Sequence, residues 1–176
     1  MGFCAILGFA YILDSPYLLV FGALTAPLMS PVIGVSLGTV LGSTRHFGRS
    51  LGGLLIGCLL VLFTGALAGF AAQIWLPMNL LQIHLNTQLT WPPFIVIGVG
   101  AVLTAATVVK DKFSPSVPST AIAYGLYLPL AASGFGLGSG IEYLWPNGLV
   151  LFIIHLAWAV LLGAVTLAIM GFRPYT

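Results

Sequence analysis

One histidine and three prolines are the residues of this chain best placed to do chemistry. His155 lies well inside a long apolar run, residues 148–170, with no Asp, Glu, Lys or Arg beside it. An ionisable group at such depth in a bilayer is a functional candidate by default, and a proton-coupled step would start there. The blander alternative is a neutral imidazole hydrogen-bonded to a neighbouring helix. Pro27 and Pro31, in the run TAPLMSP from Thr25 to Pro31, and Pro129 sit near the centres of two other apolar runs. Proline has no N–H for the carbonyl four residues back, so Pro31 frees that of Pro27, Pro27 that of Ala23, and Pro129 that of Gly125. In hydrocarbon such carbonyls need water, a side chain or an ion. The two readings are a packing kink, satisfied by Thr25 or Ser30, and a binding site where broken helices meet. Tyr124, Tyr127 and Ser133 add hydroxyls around Pro129, and no charged residue reaches either break. The expected lining is Thr25, Pro27, Ser30, Pro31, Tyr124, Pro129 and Ser133, with His155 as the proton-coupling group. It suits a small neutral solute or a partly dehydrated cation better than a multiply charged anion.

Enzymatic chemistry finds little here. Asp14 and Glu142 fall in turns, Asp111 lies between Lys110 and Lys112, and no histidine pairs with a second ligand at metal spacing. Phosphate-binding loops and nucleophile elbows are missing, so the expectation is a protein that is not an enzyme and holds no metal. No cofactor signature is legible. Cys4 and Cys58 sit in apolar runs without metal-motif spacing, as small buried hydrophobes do.

The elements that must position these residues follow from composition. Sixty per cent of the 176 residues are hydrophobic and 5% charged, against roughly a quarter charged in a soluble domain. The mean hydropathy is +1.14, and the partner this implies is the lipid bilayer. A spanning helix takes about 20 apolar residues, and runs of that order cover residues 17–42, 51–72, 92–109, 119–140 and 148–170, after a shorter run at 3–13. The expected fold is all-α, about six transmembrane helices in one domain, with no room for a separate catalytic or nucleic-acid-binding unit. The first run would rise only about 17 Å, against about 30 Å of hydrocarbon. It reads as a half-span shielded by a neighbour or as the end of a sequence that begins further upstream. It has no basic residue ahead of it, so it does not read as a cleaved signal.

Asp14, Ser15 and Pro16 close the first run, and Ser43–Ser50 is expected to be a short loop. Between Gln73 and Trp91, Asn79, Gln82 and Asn86 recur at helical spacing opposite Leu81, Leu85 and Leu89. That pattern predicts an interfacial helix, or a structured loop packed on the bundle. A stripe of Ser30, Gly34, Gly38 and Gly42, echoed by Ala132, Gly136 and Gly140, predicts close helix packing.

A shift of 98 residues superposes Pro31 on Pro129, Gly38 on Gly136, Gly42 on Gly140 and Gly65-Ala66 on Gly163-Ala164 without a gap. The repeats this suggests, residues 1–72 and 92–176 around a segment 73–91, each hold three crossings. An odd number inverts the second relative to the first, as in many secondary transporters. Single crossings also gather Arg45, Arg49, Lys110, Lys112 and Arg173 on one side, which the positive-inside rule makes cytoplasmic, with both termini.

At TAPLMSPVIG, preceded by DSPYLLVFGAL and followed by a short basic loop, the chain resembles the bacterial and archaeal hydrophobic family called domain of unknown function 389. Members carry an Asn-Ser-Pro turn, a run close to IGAMLIAPLMSPILG and a later Val-Pro-Pro-Leu break. Here Asp14-Ser15-Pro16 stands at the turn, Ala26 to Pro31 at the APLMSP core, and Leu128-Pro129-Leu130 at the second break, with Leu128 replacing the first proline. The family carries no established activity. The resemblance implies fold and a cytoplasmic (inner) membrane location. The function expected is a channel- or transporter-like role in a homo-oligomer. The alternative is a non-catalytic structural or accessory subunit of a larger membrane complex.

Overall fold

The computed structural model describes residues 2–25, 29–75, 81–110 and 116–171. These form eight helices and, among the described residues, no strand: α1 Gly2–Ile12, α2 Pro16–Leu24, α3 Met29–Leu41, α4 Thr44–Trp75, α5 Leu81–Thr87, α6 Trp91–Lys110, α7 Ser116–Ser139 and α8 Leu144–Ile169. Four of them, α4, α6, α7 and α8, are long and apolar enough to cross a membrane. The crossing expected over 17–42 is divided between α2 and α3, with Ala26, Pro27 and Leu28 outside the described residues. The run from Phe3 to Leu13 forms the short helix α1. By contrast α7 carries Pro129 inside a continuous helix, so there the proline removes a hydrogen bond without ending the element.

The sharp turns have local causes. Asp14 (φ 47°) and Gly42 (φ 65°) adopt the left-handed conformation that closes a helix. At Gly42 the N–H bonds the Thr39 carbonyl (3.4 Å) and the Ser43 N–H the Gly38 carbonyl (3.2 Å). At Asp14 the same pair of bonds runs to Tyr11 (3.3 Å) and from Ser15 to Ala10 (3.0 Å). This double bond satisfies carbonyls a helix end leaves open. Aspartate tolerates the position better than most side chains, and Pro16 then starts α2 where a missing N–H costs nothing. Residues 44–50 are helical rather than the expected loop. Ser43 accepts from the His46 N–H (3.5 Å) and starts α4 directly, because Gly38 lets the Phe47 backbone approach.

Helix α7 forms the centre: 78% of its most apolar stretch is buried, against 33% for α4, α6 and α8. It lies against α4 along a glycine seam. A Cβ built on Gly65 would come within 2.6 Å of the Ala131 carbonyl oxygen, and those of Gly134 and Gly138 would meet the backbones of Leu62 and Ala66. Rising numbers meet rising numbers, so α4 and α7 are parallel. Gly34 faces Ser50 and Gly38 faces Phe47, so α3 runs antiparallel to α4. Ser133 and Gly125 meet Trp145 and His155, so α8 runs antiparallel to α7. The Ser36 hydroxyl donates to the Val160 carbonyl (3.3 Å) where α3 crosses α8. Of the expected stripes, Gly34, Gly38 and Gly136 are thus close contacts, whereas Gly42, with nothing within 4 Å, and Gly140 serve instead as left-handed helix ends.

The outward faces are as apolar as the interior. Leu59, Phe63 and Phe70 on α4 and Val150, Ile153 and Leu161 on α8 are more than half exposed. Burying one such side chain is worth roughly 1.5–3 kcal/mol in water, so a surface made of them belongs in an apolar solvent. Lipid provides it.

Candidate functional site

Pro129 leaves the Gly125 carbonyl of α7 without its helical donor. His155 of α8 supplies one: its Nδ1 lies 2.9 Å from that oxygen. A carbonyl only accepts, so the partner assigns the proton to Nδ1 and leaves a lone pair on Nε2. The ring is 1% exposed, and among the described residues Nε2 meets no hydrogen-bond partner. Phe94 of α6 packs its ring edge-on at 4.8 Å and 81°. The Trp158 Nε1 donates to the Phe94 carbonyl at 3.2 Å and ties α8 to the same turn of α6.

Beside the imidazole lies a cavity of about 30 Å³, walled by Leu85, Asn86, Gln88, Pro93, Tyr124, Gly125, Pro129, Leu151 and His155. That volume accommodates about one to two water-sized molecules. Among the described residues that line it, none is an Asp, Glu, Lys or Arg. Ile97, fully buried, fills the space a Cβ at Gly125 would take and closes the wall on that side. Helix α5 closes the end. Its Gln82 N–H donates to Asp14 Oδ1 (2.8 Å), and His84 stacks on Tyr143 at 5.6 Å and 6°, with Nε2 and the phenol oxygen 3.3 Å apart. One short helix is thereby fastened to both turns at this end of the bundle. Ile83 and Thr87 are buried while Leu81, Leu85 and Leu89 are more than half exposed. Asn86 donates its amide to the Gln82 carbonyl at 2.7 Å, which leaves its side-chain oxygen as an acceptor.

The structure brings together Tyr124, Pro129 and His155 from the expected set and adds Asn86 and Gln88. Ser133 is apart from them: its hydroxyl donates to the Trp145 carbonyl at 2.6 Å and fixes the start of α8. Thr25 bonds back to the Phe21 (3.2 Å) and Gly22 (3.0 Å) carbonyls, so it finishes α2. Pro31 lies in the first turn of α3, half-buried, toward Gly53 of α4. Pro27 and the side chain of Ser30 lie outside the described residues. Asn86 belongs to the polar face that the sequence shows in the segment 73–91, whereas Gln88 lies outside that pattern; what sequence does not reveal is that residues 86 and 88 lie over the second proline.

Among known proteins, an uncharacterised protein of Methanocaldococcus jannaschii is 26% identical over 165 residues, which cover 92% of this chain and 50% of the relative. The chain therefore spans about half the length of the curated relative it matches. No solved structure matches it. The turn at Asp14-Ser15-Pro16 and the two proline positions stand in a chain whose residues 24–170 match the model of the Domain of unknown function (DUF389), and the protein belongs to that family.

Proposed function

We propose that this chain is a channel- or transporter-like protein of the bacterial cytoplasmic membrane, passing a small neutral solute or ion through a site at the Pro129 break. The observation that carries the reading is the His155–Gly125 hydrogen bond. A polar ring deep in an apolar bundle is satisfied at Nδ1, has no partner for Nε2 among the described residues, and forms part of the wall of a small cavity. A neutral acceptor there selects ligands that donate hydrogen bonds, or a proton. Tyr124, Asn86 and Gln88 complete the lining, while Thr25, Pro27, Ser30 and Pro31 belong to the counterpart break and Ser133 to the frame.

Contacts support two inverted copies. The approach of Gly65 to Gly134 is matched, 98 residues on, by that of Gly163 to Ser36, and the approach of Gly38 to Phe47 by that of Gly136 to Trp145. Gly42 (φ 65°) and Gly140 (φ 74°) turn left-handed at equivalent places. Inverted copies require α3 to parallel α8 and α4 to parallel α7, which agrees with the packing. Arg45 and Arg49 start α4 and Lys110 ends α6, at the end opposite α5. By the positive-inside rule that end and both termini are cytoplasmic and α5 is outside. No chemistry beyond passage is proposed, and the assembly is a homo-oligomer.

The test is flux in proteoliposomes, with glycerol, urea, ammonium, K⁺ and H⁺ as probes. His155→Leu and Pro129→Ala should each lower the transported probe's flux at least tenfold while gel filtration stays unchanged. Flux equal to wild type in both would remove the site. A second reading, an accessory subunit, is favoured by the apolar exposure of the short helices α1 and α2 and their ends, where Phe9, Leu13 and Tyr17 are 62%, 60% and 85% exposed. Constant co-purification with unrelated subunits after gentle extraction would support it, and a symmetric homo-oligomer the first.

A further inference from the structure

A second cavity, about 410 Å³ and open along the side of the bundle, lies between the loop after α5 and the first turns of α8. Its wall is graded. Gln88 and Asn147, both exposed amides, stand at the α5 end, and Val150, Leu151 and Ile154 continue it along α8. From residue 146 to 154 a helix rises about 12 Å, close to the depth of one leaflet of a hydrocarbon core about 30 Å thick. Val150 (56%) and Ile154 (39%) present their side chains outward, on the face of α8 that carries Ile153 and Leu161. Trp91 (84% exposed) and Trp145 (43%) stand at the polar end, where aromatic side chains mark the membrane–water boundary. Polar at the boundary, apolar below it and open to the side, the groove repeats the chemical gradient of a lipid molecule.

We propose that this groove holds one bilayer phospholipid as a resident ligand: an acyl chain along Val150, Leu151 and Ile154, and the glycerol ester oxygens accepting from the Gln88 and Asn147 amides. Among the described residues no charged side chain lines it, so the headgroup is selected by hydrogen bonding and not by charge, and zwitterionic and anionic lipids bind alike. The groove shares Gln88 and Leu151 with the His155 cavity. Those two side chains are the partition between them, and the bound lipid seals the cavity sideways. The proposal does not depend on transport, since the partition exists whether or not anything passes.

The test uses the full chain in nanodiscs of phosphatidylcholine doped with a phosphatidylcholine carrying a photoactivatable diazirine on its acyl chain, with labelled residues mapped by mass spectrometry. Labelling should concentrate on Val150, Leu151 and Ile154, several-fold above Leu59 and Phe63 on the outward face of α4. Ile154→Trp, which fills the groove, should cut the α8 labelling at least fivefold and leave that of α4 unchanged. Asn147→Leu, which alters no packed side chain, should reduce the lipid retained through detergent purification by a similar factor. Even labelling over all outward faces, or Ile154→Trp labelling like wild type, would overturn the resident lipid and leave ordinary bilayer contact. Labelling with a diazirine phosphatidylglycerol alone would overturn the charge-independent headgroup contact.

Discussion

The bond between His155 and the carbonyl released by Pro129 makes a prediction that two substitutions test together. His155→Leu removes the donor at 2.9 Å and strands the Gly125 oxygen inside α7, where neighbouring side chains are almost entirely buried. Leaving a buried acceptor unpaired costs about 1–3 kcal/mol. Interhelical hydrogen bonds in membranes average about 0.6 kcal/mol and reach about 1.7, the lower values arising where the unpaired group finds another partner. Here the usual replacement, the N–H four residues on, belongs to a proline, so the upper figure applies. Pro129→Ala restores that N–H, and in its background His155→Leu should cost only the lost edge-on packing with Phe94. The cycle should therefore show a coupling of about 1.7 kcal/mol. Equilibrium unfolding of the four proteins in mixed micelles, titrated with SDS and followed by circular dichroism, measures it. Additivity within about 0.5 kcal/mol would refute the claim that the histidine is the carbonyl's partner, whatever either substitution does alone.

Other predictions concern the frame. Asp14→Asn should keep the left-handed turn and the acceptor for the Gln82 N–H, whereas Asp14→Ala should lose both and destabilise by about 1–2 kcal/mol; equal unfolding midpoints would contradict this. Gly134→Ala should cost toward the top of the roughly 1–3 kcal/mol range for overpacking, since its Cβ meets Leu62 backbone. Gly52→Ala, with nothing within 4 Å, should stabilise by about 0.5–1 kcal/mol; the same unfolding titration separates them. Cys4 and Cys58 are buried, so an impermeant maleimide applied to intact cells should ignore the parent protein and label Glu142→Cys, in the exposed turn between α7 and α8, while Arg49→Cys should label only after permeabilisation. The reverse pattern would invert the topology.

Much of the architecture is legible in the chain because lipid simplifies the problem. An apolar run long enough to span has few alternatives to a helix, and proline and left-handed positions mark where it must stop or bend. Asp14-Ser15-Pro16 announces its turn in this way, and Gly34 and Gly38 their contacts. The start of α4 is hidden because STRHFGRS has the composition of a loop; a serine cap and one left-handed glycine make a turn of two residues, and the rest is helix. Pro129 and His155 were each visible as candidates, but separately. Thirty residues apart, nothing in their spacing says that one supplies the donor the other removes. Ser133 drew attention by proximity to Pro129, yet a hydroxyl in a helix takes whichever carbonyl its face meets, here that of Trp145.

The contrast between α4 and the two helices before it bears on how the protein is made. At 9 and 13 residues α2 and α3 rise about 14 and 20 Å, each short of the about 30 Å of a hydrocarbon core. Helix α4, at 32 residues, exceeds that depth. It can hold its place in a bilayer by its own length, whereas α2 and α3 complete their burial only when α4, α7 and α8 pack against them, so their integration follows the synthesis of later segments and does not keep pace with their own.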